Sequence, residues 1–199
     1  VAEPAANAVA ELALTKGQFS ASTEHILYPD KIWQQREFLA STDERFRPVD
    51  VSMGPDGALY VIDMYRGIIQ DHIFLTDQLR DEALSRGLDK PVGMGRIWRV
   101  TAQTQSNIAT QAVPETDRDL VKLLAHENSW HRETAQRLLA GKRSNRTDRR
   151  LRRLINEENA LAAAHATWTL QGRGKLNRKA VKSGLSHPAP DVQLAALRA

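Results

Sequence analysis

The sequence contains no cysteine among its 199 residues. This absence excludes disulfide bonds, thiolate metal sites and Cys-x-x-Cys-His attachment of haem within these residues, and it leaves the cellular compartment open. No apolar run approaches the roughly 18–20 residues that a membrane-spanning helix requires. The opening stretch lacks the basic start and apolar core of a signal peptide, and it has no initiator methionine. We therefore expect an internal fragment of a longer protein.

What the chain does contain is an ordinary globular composition, with 41% hydrophobic and 26% charged residues. Its net charge of +4 conceals an asymmetry between its two halves. Residues 1–114 carry 11 Lys and Arg against 15 Asp and Glu, a net charge of −4, whereas residues 115–199 carry 17 against 9, a net charge of +8. This asymmetry predicts two differently built halves.

Short apolar runs in the first half predict β-strands. Pro48 to Met53 alternates apolar and polar residues, as a strand with two different faces does. Residues 54–57, Gly-Pro-Asp-Gly, form a tight reversal because Pro fixes φ and Gly accepts a positive φ. Ala58 to Ile62 is then the second strand of a hairpin. Gly95 to Val100 is a third candidate strand, with its side chains alternating between two faces.

A helix is predicted in the insertion between the second and third strands, near residues 74–88. Leu75 to Gly87 places leucines and an alanine at helical spacing, with Thr76 as the N-cap and Gly87 as the stop. Nearer the start of the chain, periodicity alone leaves Ala5 to Leu14 open between strand and helix.

From Glu115 onward the apolar period changes to about 3.6 residues, and a repeat of roughly 30 residues predicts helical pairs. The repeat rests on three matching segments, His131–Leu139, Ala162–Leu170 and Val192–Ala199. The predicted first helices of the pairs are Asp117 to His126, Asp148 to Asn156 and Leu176 to Leu185, and the second helices begin near Ser129, Asn159 and Pro188. Ser129, Thr147 and Asn159 are the predicted N-caps. The last pair is expected to be truncated.

Two stretches of the first half, ASTDERFRPVDVSMGPDGALYVIDMYRGIIQ and GLDKPVGMGRIWRV, are similar to the planctomycete-type membrane-bound dehydrogenase-like family. Members of this haem-binding multidomain family carry a sorbosone or sugar dehydrogenase-like β-propeller, then HEAT repeats and commonly a haem c domain. The segment VAEPAANAVAEL resembles the preceding blade, which favours strands at the start of the chain.

The resemblance implies a fold and a division into domains. Residues 1–112 would form the C-terminal blade or blades of the β-propeller, all-β apart from the helical insertion, and residues 113–199 would form an all-α HEAT-repeat solenoid of about three helical pairs. A closed propeller needs at least four blades, so this chain is expected to hold an incomplete one.

A group of polar residues around the hairpin is the candidate ligand-facing site. Its members are Arg47, Asp50, Asp63, Tyr65, Arg66 and His72. If the hairpin lines a propeller channel, these residues would present carboxylate, phenol and guanidinium groups to one ligand. The alternative is structural, with the aspartates capping turns and Arg47 pairing with one of them. No recognised ligand spacing supports a metal at these residues.

Two histidines bear on catalysis in the first half. In the quinoprotein sugar dehydrogenases that the chain resembles, a His takes the hydroxyl proton as hydride leaves the sugar, and Arg or Lys holds the quinone. Neither His25 nor His72 lies in a motif that matches that base. The resemblance implies pyrroloquinoline quinone and Ca²⁺ in the complete propeller and haem c on a domain outside this chain, but no cofactor is demonstrable from these residues alone.

The basic run Lys142 to Arg153 raises a different function, because a basic helical surface can bind phosphate backbones. The alternative is a solvated helix, since its arginines surround Leu151 and Leu154 in the pattern of one buried stripe. No aromatic platform for bases accompanies the run, so nucleic acid is the less favoured partner and an acidic partner domain is preferred to it.

Three functional hypotheses follow. The resemblance implies an exported, periplasmic or extracellular parent that oxidises a sugar or other alcohol and passes electrons to haem c, with the helical part connecting domains and this fragment inactive alone. The alternative is a non-catalytic scaffold that binds carbohydrate or protein. The third is nucleic-acid binding by the basic helices.

Overall fold

The computed structural model describes residues 1–16, 21–102, 110, 112–142 and 144–199. The chain divides into two compact units. The first comprises Val1–Gly54 and Ala58–Ser106, and the second comprises Pro55–Gly57 and Asn107–Ala199. The two units are described separately below.

The first unit consists mainly of short strands. Its described strands are β1 (Ala2–Glu3), β2 (Ala8–Val9), β3 (Glu11–Lys16), β4 (Ala21–Ile26), β5 (Tyr28–Asp30), β6 (Gln34–Arg36), β7 (Leu39–Ala40), β8 (Pro48–Met53), β9 (Leu59–Asp63) and β10 (Arg96–Val100). Two 3₁₀ turns, Pro4–Ala6 and His72–Phe74, and one α-helix, α1 (Asp77–Ser85), lie between them. The strands predicted at the start of the chain are therefore present.

All strand pairing in this unit is antiparallel. The strands form four sheets, with the orders β1-β2-β7, β8-β9-β10, β3-β4 and β5-β6. The predicted hairpin is confirmed as β8 and β9, where Met53 pairs with Leu59. Its turn is closed by the amide of Gly54, which donates to the carbonyl of Ala58, and Gly57 has a φ of 74°. The third predicted strand is confirmed as β10, which pairs with β9.

The predicted insertion helix is also confirmed, as α1. The Thr76 hydroxyl accepts a hydrogen bond from the amide of Leu79, as an N-cap does. The apolar stripe of this helix is not covered, because Leu79 and Leu84 are exposed and no residue of α1 is buried.

The second unit is helical in its described part. Its helices are α2 (Asp117–Leu123), α3 (Ser129–Ala140), α4 (Asn145–Leu154), α5 (Ala160–Gly172), α6 (Arg178–Leu185) and α7 (Pro190–Arg198), in the order and near the positions that the sequence predicts. The N-cap predicted at Asn159 is confirmed. Those predicted at Ser129 and Thr147 are wrong, because the capping side chains belong to Asn128 and Ser144. No helix in the described ranges is both long and apolar enough to cross a membrane.

The core of the helical unit is aliphatic. Its fully buried large side chains include Leu120, Leu124, Leu139, Leu151, Ile155 and Leu170. The buried stripe predicted for α4 is confirmed, since Leu151 and Leu154 both lie in this core. At the end of the unit, α6 and α7 approach so closely that a Cβ on Gly184 would lie 2.6 Å from the Cβ of Ala196. This crossing admits no side chain at position 184.

The fold class implied by the resemblance is wrong. We expected all-β propeller blades followed by an all-α HEAT solenoid, and the structure is mixed α/β. Within the described residues the sheets have only two or three strands, no propeller is closed, and the seven helices, one of them among the strands, do not form a clear HEAT solenoid. The physical reason is that sequence patterns report on residues close together in the chain, whereas a blade depends on pairing between distant segments. A Gly-Pro-Asp-Gly turn and a two-residue alternation specify a hairpin, whereas a blade needs four strands side by side.

Candidate functional site

The carboxylate of Asp63 lies at the centre of the predicted site. Asp63 is the last residue of β9, and its side chain is fully buried. Its Oδ1 accepts hydrogen bonds from the amides of Arg47 and Tyr65, each at 2.8 Å. Its Oδ2 accepts one from Trp98 Nε1 at 3.1 Å and lies 3.4 Å from Arg96 Nε. Both oxygens of this carboxylate are therefore committed to partners within the unit.

Arg47 is bound within the same unit. Its guanidinium donates to the carbonyls of Pro4 and Gly67, at 3.2 and 3.0 Å, and to the side-chain oxygen of Asn7. Burial lowers the pKa of Arg47, and the nearby charge of Asp63 opposes that shift. Because Pro4, Gly67 and Arg47 are far apart in sequence, this side chain ties three segments of the unit together.

Tyr65 contributes its ring rather than its hydroxyl to the cluster. The guanidinium carbon of Arg96 lies 3.5 Å from the centre of the Tyr65 ring and 5.1 Å from that of Trp98. Tyr65 has a φ of 47°, which is uncommon for a residue with a side chain. The hydrogen bond from its amide to Asp63 holds the backbone in this conformation.

The other three predicted residues lie apart from this carboxylate or have no described contact with it. Asp50 is exposed on β8, opposite Ile62. Arg66 is exposed and lines a cavity of about 240 Å³ together with Arg80, Asp89 and apolar side chains. His72 begins the 3₁₀ turn His72–Phe74. His25 is exposed on β4, where its Nε2 lies 2.8 Å from a Glu37 oxygen.

The structure therefore brings together Arg47, Asp63 and Tyr65 from the predicted group. It adds Arg96 and Trp98, which sequence reasoning treated only as part of a strand. Alternation along β10 places Arg96 and Trp98 on one face, and this alternation was the available sequence signal. In this cluster one buried carboxylate is surrounded by hydrogen-bond donors from several segments, an arrangement that stabilises the fold. No group of three or more His, Cys, Asp or Glu suited to a metal ion occurs in the part of the chain that the structure describes.

A second buried cluster lies in the helical unit, and sequence reasoning missed it. Arg173 and Asp148 are almost fully buried, with side chains 3% and 4% exposed, and Arg173 Nε lies 2.7 Å from Asp148 Oδ1. The guanidinium also donates to the carbonyls of Leu139, Lys142 and Ser144. These contacts fix the connection between α3 and α4. A cavity of about 730 Å³ adjoins them and is lined by Ala140, Gly141, Lys142, Ser144, Asn145, Asp148, Gly172, Arg173 and Lys175.

Two histidines of the helical unit have a lowered pKa. His165 Nε2 accepts a hydrogen bond from Arg132 Nε at 3.3 Å, and its Nδ1 donates to Gln136 at 2.7 Å. Burial, followed by the charge of Arg132, lowers the pKa of His165, and Glu133 opposes the shift. Burial, followed by nearby His126, lowers the pKa of His131.

We expect the helical unit to lose stability as the pH falls from about 7.5 to about 5. The ordinary pKa of histidine is 6.5, and it is lower for His165 and His131 in the folded unit. The unfolded chain therefore binds more protons below that value. Urea unfolding followed by far-UV circular dichroism measures the effect, and His165→Asn should reduce it. If this variant lost stability with falling pH as much as the original chain does, protonation of His165 would not be the cause of the loss.

The chain was compared with family models, curated proteins and solved structures. A family model described as a domain of unknown function, DUF7133, matches residues 1–104. This range covers the described strands of the first unit, the Asp63 cluster and α1. No curated protein and no solved structure matches the chain.

Proposed function

The chain belongs to the DUF7133 family, and from this premise we propose that it acts as a non-catalytic scaffold that binds other proteins. The observation that carries the proposal is the internal use of the predicted site. The buried carboxylate of Asp63 accepts from two amides and an indole and lies beside Arg96. Such a group has no oxygen left for a substrate, so its role is to hold the unit together.

Exposed apolar side chains at a hydrogen-bonded turn support the binding of a protein partner. The tip between β5 and β6 exposes Ile32 and Trp33 to 79% and 71%. The Asp30 carboxylate accepts hydrogen bonds from both of their amides, at 2.8 and 2.9 Å, and these bonds lower the pKa of Asp30. A hydrogen-bonded turn that presents an exposed tryptophan is typical of an anchor in a protein interface.

The binding role can be tested by placing a photo-crosslinking amino acid at position 33 of the full-length protein. The matched control places it at Gln35, which is also exposed in this hairpin. We expect position 33, and not position 35, to crosslink to a partner protein. The purified partner should then bind the purified chain in a titration, and the Trp33→Ala variant of the chain should bind it more weakly. Equal crosslinking at both positions would contradict this docking surface. An affinity for the purified partner that is unchanged by Trp33→Ala would contradict it as well.

The second candidate is that the full-length protein oxidises a sugar or another alcohol, with electron transfer to a haem c domain outside this chain. The sequence resemblance supports it, as does the exposed guanidinium of Arg66 at the rim of a cavity of about 240 Å³. The periplasmic or extracellular location of the protein, which the same resemblance implies, stays a prediction.

A redox assay separates the two candidates. The full-length protein is supplied with pyrroloquinoline quinone and calcium, and dye or haem reduction is followed with a panel of sugars and alcohols. The scaffold proposal expects no substrate-dependent reduction. Reduction that is lost in folded Asp50→Ala or Arg66→Ala variants would overturn the proposal in favour of the dehydrogenase.

A further inference from the structure

A basic groove lies beside the C-terminal end of α4 and along α6. Two adjoining cavities, of about 390 and 230 Å³, form it and share Asn156, Lys179 and Ser183. Its four cationic side chains are Arg152, Arg153, Lys179 and Lys182. We call it the α4–α6 groove.

The charges of the α4–α6 groove are not neutralised by the chain itself. No acidic residue lines either cavity. Within the described ranges, none of the four cations forms an ion pair. Arg152 donates through Nη2 to the carbonyl of Lys175 at 3.1 Å, and its buried Nε has no hydrogen-bond partner. The groove is therefore a concentrated positive site.

The stability of α6 does not explain one of these charges, that of Lys179. Arg178 and Lys179 lie in the first turn of α6, which contains no acidic residue. Positive charge there opposes the helix dipole, which favours acidic side chains at the N-terminus. Helices α2, α4 and α7 each have an acidic residue in the first turn, and α3 and α5 have none, but α6 alone among these six has two basic residues at its first two positions. A local arrangement that works against helix stability is typical of a functional surface.

We propose that the α4–α6 groove binds an extended acidic segment of a protein partner. The inference rests on the scaffold function proposed above and names the chemistry of one partner. Charge complementarity between the cations of the groove and Asp or Glu side chains supplies the recognition. A peptide is favoured over single-stranded nucleic acid because no Trp, Tyr or Phe lines the groove, and sequence-tolerant binding of bases relies on such stacking platforms.

The test uses the whole chain and a fluorescein-labelled peptide of ten glutamates, with fluorescence anisotropy as the readout. We expect binding that weakens as salt is added. The variant Lys179→Glu/Lys182→Glu should raise the Kd by about tenfold or more, because it reverses charge within the site. The matched control, Arg118→Glu/Arg137→Glu, makes the same change in net charge on exposed residues of α2 and α3. It should change the Kd by less than about twofold if the site is local.

Two outcomes overturn the inference. One is an equal loss of binding in the control variant, which would show a response to net charge alone. The other is tighter binding of a ten-nucleotide oligo(dT) that displaces the peptide and is lost in the same groove variant, which would identify a nucleic-acid site. Failure of the scaffold function would appear separately, as substrate-dependent activity in the redox assay with peptide binding intact.

Discussion

Replacing Arg173 with methionine is expected to lower the free energy of unfolding of the helical unit by about 3–5 kcal/mol, because it leaves a buried carboxylate without its cation. The Arg173 guanidinium binds Asp148 and three backbone carbonyls. A methionine of similar length fills the space and satisfies none of these groups. Urea unfolding followed by far-UV circular dichroism measures the change.

Two further variants show which part of the effect comes from charge. Arg137→Met removes an exposed arginine near the end of α3, and it should change stability by less than about 0.5 kcal/mol. The double variant Arg173→Met/Asp148→Leu removes both buried charges and should recover part of the loss. If the single and double variants were equally unstable, the unpaired carboxylate would not be the main cause of the loss in free energy of unfolding.

Replacing Asp63 with alanine is expected to destabilise the first unit by about 2–4 kcal/mol, because three partly buried donors lose their acceptor at once. The amides of Arg47 and Tyr65 and the indole N–H of Trp98 would all lose this acceptor. Hydrogen exchange of peptides from β8, β9 and β10, followed by mass spectrometry, reports on this unit separately from the helices.

The controls for Asp63 distinguish a structural carboxylate from a ligand-binding one. Asp63→Asn keeps an acceptor for the two amides and should cost about half as much, while losing the interaction with Trp98 and Arg96. Asp50→Asn, on the exposed part of β8, should leave exchange unchanged. Fast exchange in the Asp50 variant and slow exchange in the Asp63 variant would contradict our assignment.

Local structure was predictable from the sequence where neighbours along the chain determine it. Residues 48–53 and 95–100 are predicted to be strands because alternation is a property of adjacent residues, and the observed strands match them to within one residue. The Thr76 cap was found because a cap bonds to an amide three residues away. The shifted cap at Ser144 shows the limit, since two hydroxyl residues in one turn compete for the same role.

Long-range partners were not predictable, and they decide both the fold class and the site. Asp63 is a plausible ligand in sequence, but Trp98, 35 residues away, occupies one of its oxygens. Arg173 follows Gly172 and precedes Gly174, which is typical of an exposed helix end, and its buried partner lies 25 residues earlier. The propeller prediction was wrong for the same reason, because it required strand neighbours that no local pattern specifies.

The close crossing of α6 and α7 at Gly184 has a consequence for the kinetics of association. A Cβ there would collide with Ala196, so α6 lies directly against its neighbour, and Lys179 and Lys182 lie on a helix that packing holds in place. Charges fixed in this way attract an oppositely charged chain before contact and mainly raise the rate of encounter. Salt should therefore slow the capture of an acidic segment much more than it hastens its release.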